Sequence, residues 1–201
     1  MTHIFVRNFR TILIWGILMM ILFTGVSLLF RRQYSAESQV LIISRDRSGV
    51  DPYTQAKSAE RIGGDLALIM SKVDFYNKVF ASDAQFNRTY WQKLSERDRR
   101  KEWAKDVIGS VQSGSSLFTI KVYAASQQDA VTLSDAVTKT FIDHTSDYAG
   151  GDVVVRQLDT ALVSTIPARP NFIINAGIGF WVGVVIAGLW VMRYGKHKGF
   201  V

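Results

Sequence analysis

The sequence predicts a mixed α/β (α+β) domain that is flanked by two transmembrane helices. Two hydrophobic runs without a charged residue, at residues 11–30 and 172–192, lie near the two ends of the 201-residue chain. Each run is long enough to cross a hydrocarbon core of about 30 Å as a helix. Between them, some segments alternate apolar and polar residues and others repeat apolar residues at helical spacing, which indicates both strands and helices. We therefore divide the chain into a tail at 1–10, a span at 11–30, an extracytoplasmic domain at 31–171, a span at 172–192 and a tail at 193–201.

The second hydrophobic run carries a pattern typical of helix packing in membranes. It contains no charged residue from Asn171 to Met192, which is unusual for the core helix of a soluble protein. Small residues recur at every fourth position and form one narrow ridge along the helix: Asn175, Gly179, Gly183 and Ala187. Because Gly179 and Gly183 form a GxxxG pair, we expect a neighbouring helix to approach closely along this ridge.

The first run has a competing interpretation as a cleaved signal peptide. It is longer than the usual apolar region of a signal peptide, and no A-x-A-like cleavage site follows it. We interpret it as an uncleaved span.

The positive charge of the chain is concentrated at the predicted membrane boundaries. The sequence has 24 Lys and Arg against 17 Asp and Glu, with a formal net charge of +7. Seven of the basic residues flank the two runs: Arg7, Arg10, Arg31, Arg32, Arg193, Lys196 and Lys198. The other 17 balance the 17 acids of the domain, so the domain is neutral. A nucleic-acid partner is therefore not expected, since it would need a basic soluble surface, and the lipid bilayer is the expected partner of the basic residues.

The distribution of the basic residues also predicts the orientation. The two tails carry five of them, whereas Arg31, Arg32 and Arg169 lie at the domain side of the spans. The positive-inside rule places the more basic short segments in the cytoplasm, and long loops are translocated largely regardless of charge. We expect both termini in the cytoplasm and the domain outside, a location that the absence of cysteine permits.

The first half of the domain is predicted to be one strand followed by helices. Residues 34–45 favour a strand, and residues 45–49 favour a polar turn. Asp51 followed by Pro52 is typical of a helix start, and Gly63-Gly64 interrupts that helix with a kink or a close contact. Shorter and longer helices are then expected at residues 72–80 and 91–111. Residues 96–102 are dense in charges of both signs, which indicates a solvated face with local ion pairs or, alternatively, a patch that contacts a polymer or lipid headgroups.

The second half of the domain is predicted to contain a strand, a helix and a strand after a turn at residues 109–116. Phe118, Ile120 and Val122 alternate with polar residues and define a half-buried strand. Ser126 and Asp129 resemble a capping box for a helix that ends near residue 147 and is closed by glycines at 150 and 151. The last strand is expected at residues 153–158.

No pattern in the sequence predicts an enzyme, a metal site or a cofactor. The histidines, His3, His144 and His197, are far apart in the sequence, and none has a second ligand at a metal-binding interval. The nucleophile, metalloprotease and phosphate-loop motifs are absent from the sequence.

In its order of span, strand, helices, strand, capped helix, strand and proline-marked second span, the chain resembles the polysaccharide co-polymerases, or chain-length determinant (Wzz-like) proteins. The resemblance covers nearly the full length. In that family a proline- and glycine-rich segment overlaps the second membrane helix. The resemblance carries this motif onto six residues: Pro167, Pro170, Gly177, Gly179, Gly183 and Gly188. The loop is too short for the long helical extension of O-antigen regulators, so the chain is most similar to the small capsule-type members.

The resemblance implies a homo-oligomeric scaffold in the bacterial cytoplasmic (inner) membrane. Such a scaffold works beside a polysaccharide polymerase or export machinery and modulates the length of a capsule, exopolysaccharide or O-antigen. Small members also activate a separate cytoplasmic tyrosine kinase through their tail. The aromatic residues of the tail here are Tyr194 and Phe200, so a kinase-contacting tail is an implied alternative.

Two further functions stay open at this level. A sensor module would bind a ligand through the exported domain, but we expect the nine residues after Met192 to be too few for an output domain, so a partner would have to supply it. A membrane-bound enzyme acting on lipid-linked sugar would need a cluster of carboxylates or metal ligands, and the acids of the domain are scattered along the sequence.

Overall fold

The computed structural model describes residues 8–44, 51–150 and 153–194. It divides into two compact units. One unit contains the two terminal apolar helices, and the other is the domain Gln33–Ala168. In chain order the elements are α1 (Phe9–Ser27), β1 (Tyr34–Ser44), α2 (Pro52–Met70), α3 (Val73–Ala81), α4 (Thr89–Gln92), α5 (Glu96–Asp106), β2 (Val107–Val111), β3 (Leu117–Ala124), α6 (Gln127–Ala149), β4 (Val153–Val163) and α7 (Phe172–Tyr194).

The domain is built on one four-stranded antiparallel sheet in the order β2-β3-β1-β4. Together with the helices between β1 and β2 and between β3 and β4, this is the split βαβ arrangement. In β1, Tyr34 lies opposite Ala124 of β3, and Ala36 lies opposite Val163 of β4. The predicted mixed α/β class is confirmed.

The core lies between the sheet and its helices. The alternation read from the sequence holds, because Phe118, Ile120 and Val122 of β3 are fully buried. The ring of Phe118 stacks on Phe141 of α6 with 4.8 Å between centroids. Larger side chains of α3, α4 and α5 extend this core and include the fully buried Trp103.

The predicted helix caps are confirmed. The Asp51 carboxylate accepts a hydrogen bond from the backbone N–H of Thr54 at 3.0 Å, and Ser126 Oγ accepts one from the N–H of Asp129 at 3.0 Å. Gly150 ends α6 with φ of +81°, a conformation that residues with a Cβ rarely adopt.

The pair Gly63-Gly64 does not break α2. The helix continues through both residues to Met70. Gly63 is a point of close packing, because a Cβ there would lie 2.9 Å from Cγ2 of Val111, whereas a Cβ on Gly64 would meet open space.

The predicted long helix at residues 91–111 is wrong. The structure divides this segment into the end of α4, a separate α5 and the strand β2, which pairs with β3. Gly109 and Val111 therefore belong to a strand rather than to a helix or the predicted turn. No glycine or proline marks the end of the helix between residues 91 and 108. The pairing of β2 with β3 is a long-range interaction that local periodicity does not report.

Other boundaries differ by smaller amounts. The first apolar helix runs from Phe9 to Ser27 rather than over residues 11–30, α7 continues to Tyr194, and β4 continues past Leu158 to Val163. The predicted polar turn at residues 45–49 and the glycine at position 151 lie outside the described residues.

Candidate functional site

The ridge of small residues on α7 packs against α1 of the same chain. A Cβ on Gly179 would lie 2.7 Å from the carbonyl oxygen of Met19 and 2.8 Å from Cβ of Phe23. A Cβ on Gly183 would collide with the carbonyl oxygen of Trp15. These separations leave room only for hydrogen, so both positions require glycine if the helices are to keep this distance.

The close approach involves a glycine on each helix. A Cβ on Gly16 of α1 would lie 2.9 Å from the ring of Phe180 and 3.1 Å from Cγ2 of Val184. A Cβ on Gly183 would in turn lie 2.9 Å from Cα of Gly16. The backbones of α1 and α7 therefore face each other at these glycines.

A polar contact and an apolar contact lie on either side of the glycines. Asn175 Nδ2 donates a hydrogen bond to Ser27 Oγ at 2.7 Å, and Ser27 is only 4% exposed. In the opposite direction along α7, Ala187 and Val191 pack against Ile12. Since the partner residues run backwards along α1, the two helices are antiparallel, and the ridge contacts α1 over most of its length.

The outward surfaces of this pair are apolar and exposed. Within an apolar stretch of 18 residues in each helix, only 11% of the residues of α1 and 22% of those of α7 are buried. Trp181, for example, is 66% exposed. Both helices are long and apolar enough to cross a membrane, so the two terminal regions fit a two-pass membrane protein.

The six residues of the proline and glycine motif differ in their surroundings. Gly179, Gly183 and Gly188 are buried, whereas a Cβ on Gly177 would meet open space. Pro167 and Pro170 are half-buried, and the boundary between the two structural units falls between them.

Four of the predicted boundary cations lie within the described residues, and all four are exposed: Arg10, Arg31, Arg32 and Arg193. Tyr194 at the end of α7 is 51% exposed, and its ring lies beside that of Trp190. The remaining predicted residues lie outside the described part of the chain: Arg7, Lys196, Lys198 and Phe200.

The two ends of the domain are joined to each other, which the sequence did not predict. The backbone N–H of Ala168 donates to the carbonyl oxygen of Gln33 at 2.8 Å, and that of Ser164 donates to the carbonyl oxygen of Ser35 at 2.8 Å. The side chain of Gln33 also donates to the buried carboxylate of Asp106 at 3.0 Å. The chain therefore enters and leaves the domain at one place, because β1 and β4 are antiparallel neighbours.

His144 belongs to a local ionic group rather than to a metal site. Its Nδ1 lies 2.9 Å from Oδ2 of Asp147, and Lys78 Nζ donates to the same oxygen at 2.7 Å. Hydrogen bonds from Lys78 and then from His144 hold the pKa of the Asp147 carboxyl below its ordinary value. Within residues 8–44, 51–150 and 153–194, no three His, Cys, Asp or Glu side chains are grouped as metal ligands.

Comparison with known proteins finds no protein-family model that matches the chain and no curated protein that matches it.

Proposed function

We propose that the chain is a non-enzymatic, two-span membrane scaffold of the polysaccharide co-polymerase type. It oligomerises with copies of itself and modulates the chain length, assembly or export of a cell-surface polysaccharide. Its spans lie in the bacterial cytoplasmic membrane, with both termini in the cytoplasm and the α/β domain on the opposite side.

The observation that carries this proposal is the exposed apolar surface of the α1–α7 pair. A hydrophobic helix in the core of a soluble protein is mostly buried, whereas these two helices bury little more than the ridge between them. An exposed apolar surface of this extent is a liability in water and is suited to lipid. The neutral domain between the helices supports the same arrangement, because the surplus cations flank the helices.

The helix contacts also indicate how copies of the scaffold associate. The ridge on α7 is filled by α1, so it does not pack on a second copy while the pair stays together. Association between copies therefore uses the outward faces of the helix pair and the surface of the domain. The sequence alone predicts that a neighbouring helix approaches the ridge, and in the structure that helix is α1 of the same chain.

The membrane orientation is tested by cysteine labelling, for which the chain offers a background without native cysteine. One variant carries Lys101→Cys in the domain, and a second carries a cysteine after Val201. In intact cells, a maleimide that does not cross membranes is expected to label the first variant only, and both after permeabilisation. Labelling of both positions from the same side would reject the two-span arrangement.

The biological role is tested by deleting the gene and measuring the size distribution and amount of the surface polysaccharide on gels. We expect a changed distribution that expression of the wild-type chain restores. An unaltered polysaccharide in the deletion strain would reject the role even if the membrane arrangement is correct.

A further inference from the structure

A small cleft opens on the domain between the start of α3 and one side of α5. Its volume is about 220 Å³. This is below the range of roughly 300–1,000 Å³ that is typical of sites for drug-sized ligands, so the cleft fits one small group. The residues that line it are Ser71, Lys72, Val73, Tyr76, Asn77, Glu96, Arg99, Arg100 and Trp103.

The floor of the cleft is aromatic and rigid. Tyr76 and Trp103 are 9% and 1% exposed, and their rings meet edge to face with 5.1 Å between centroids. The indole N–H of Trp103 donates to the carbonyl oxygen of Met70 at 2.8 Å, which fixes its orientation. Burial raises the pKa of the Tyr76 phenol, so at neutral pH this hydroxyl stays protonated and is a hydrogen-bond donor.

Arg99 is held in the cleft by neutral groups. Its Nε donates to the carbonyl oxygen of Trp91 at 3.0 Å, and its Nη2 donates to that of Leu94 at 3.2 Å. Carbonyl oxygens position the guanidinium without cancelling its charge, and a guanidinium has five N–H donors. Arg99 therefore keeps its positive charge and further donors for an anion.

The rim adds more positive than negative charge. Lys72 and Arg100 are exposed cations, and Glu96 is the one carboxylate among the lining residues. Glu96 forms an ion pair with Arg100. Because both side chains of this pair are exposed, the pair is weak and a bound anion can compete for Arg100.

The surplus of positive charge distinguishes this cleft from the other cavities described here in the domain. Three other cavities in the described part of the domain lack it. The groove along β1 and β4 has Glu37 and Asp159 as its charged lining residues, and the other two cavities balance each cation with at least one acid. The domain as a whole has no net charge, whereas three cations and one carboxylate line this small cleft.

We propose that this cleft binds a negatively charged sugar unit. A carboxylate or phosphate group would pair with Arg99, Arg100 and Lys72, since the planar guanidinium fork suits both anions. The amide of Asn77 and the phenol of Tyr76 would bind sugar hydroxyls at the same time. The choice of a saccharide among anions rests on the proposed function, whereas the anionic character follows from the cleft itself.

The test is calorimetric titration of the full-length protein in nonionic detergent with a galacturonate tetrasaccharide. Maltotetraose has the same number of sugar units without charge, and we expect it to bind at least tenfold more weakly. The double variant Lys72→Gln and Arg100→Gln should weaken tetragalacturonate binding at least tenfold. Its matched control, Lys93→Gln and Lys101→Gln, removes two nearby exposed cations that do not line the cleft and should change the affinity less than twofold.

The variant Glu96→Gln separates a binding role from mere structural damage. It removes the carboxylate that occupies Arg100, so the affinity for tetragalacturonate should rise at least threefold. A damaged fold would not produce a gain of affinity. An unchanged or weaker affinity would contradict the proposed site, as would equal losses in the two double variants or equal binding of maltotetraose.

Two further probes identify the source of the anion. Inorganic phosphate should bind more weakly than tetragalacturonate, because it lacks the sugar hydroxyls. Phosphatidylglycerol vesicles that bind through Lys72 and Arg100 while tetragalacturonate does not bind would overturn the proposal in favour of a lipid headgroup. Failure of all these probes would remove the cleft as a binding site, and the polysaccharide measurements of the deletion strain would still decide the proposed function separately.

Discussion

The helices α1 and α7 contact each other at glycines, which have no side chain, whereas the core of the domain is filled by some of the largest side chains of the protein. Gly16, Gly179 and Gly183 bring the two helix backbones together. In the domain, Trp103 and Phe118 are among the largest fully buried side chains. One sequence therefore uses two opposite ways to create a packed interface.

The difference follows from the surroundings that we propose for each unit. In water, burying apolar surface stabilises a fold by about 25 cal/mol per Å², so large apolar side chains contribute most. In lipid the surface of an isolated helix is already in an apolar medium, and burying it gives little. Close backbone contact and a hydrogen bond such as Asn175–Ser27 then become the main attractions between helices.

The largest effect is expected from Trp103→Ala in the domain. The substitution leaves a cavity and removes the hydrogen bond to Met70, so it should lower the free energy of unfolding by about 3–5 kcal/mol. Urea unfolding of the full-length protein in detergent, followed by circular dichroism, measures this change. The control Trp181→Ala, which removes an exposed indole of α7, should alter the same transition by less than about 0.5 kcal/mol. Equal changes in the free energy of unfolding for the two variants would contradict the proposed difference between the two units.

The next largest effect is expected from Gly183→Leu in the helix pair. A leucine there would collide with the backbone of α1 at Trp15 and force the helices apart. The separation can be measured by disulfide formation between Ile12→Cys and Ala187→Cys at a fixed redox potential, since these positions pack together and the chain has no other cysteine. We expect the ratio of cross-linked protein to protein with free thiols to fall at least tenfold.

Gly177→Leu is the matched control for the helix pair. It adds the same side chain to the same helix, but at a position where a Cβ meets open space. The cross-link should therefore persist in this variant. The urea transition of the domain should be unchanged in both leucine variants, and a cross-link that survives Gly183→Leu would show that the glycine contact does not hold the pair.

Glycines of the domain should give smaller effects of opposite sign. A Cβ on Gly109 would lie 2.6 Å from the ring of Phe118 and 2.8 Å from Sδ of Met70, so Gly109→Ala should destabilise the domain by about 1–3 kcal/mol. Gly64 lies inside α2 with open space beside it, so Gly64→Ala should stabilise the domain by up to about 1 kcal/mol. The same urea measurement distinguishes the two, and two changes of the same sign would contradict the packing described.

The smallest effect is expected from Asn175→Ala. Hydrogen bonds between membrane helices contribute about 0.6 kcal/mol on average, which corresponds to about a threefold change in the cross-linked fraction. The double variant with Ser27→Ala should lose no more than either single variant, because both remove the same contact. Additive losses would mean that the two side chains act independently.

Much of the domain could be predicted from local signals. The alternation around Ile120 and the caps at Asp51 and Ser126 depend on neighbouring residues, and the structure confirms them. The strand β2 was missed because Val107 and Ile108 directly follow a charged helix, and their pairing with β3 is formed by residues farther along the chain. The cleft was also only partly visible. The sequence showed a dense charged segment at 96–102, but not that Lys72 lies beside it.

The sequence by itself determined the two long apolar runs, the neutral segment between them and the spacing of small residues on the second run. These properties are sums or periodicities along the chain, so they need no knowledge of distant contacts. Only the tertiary structure decided that the ridge on α7 belongs to α1 and that the ends of the domain meet at Gln33 and Ala168. A ridge of small residues predicts that some helix can pack closely against α7. The helix that does so depends on which segments the whole fold brings together.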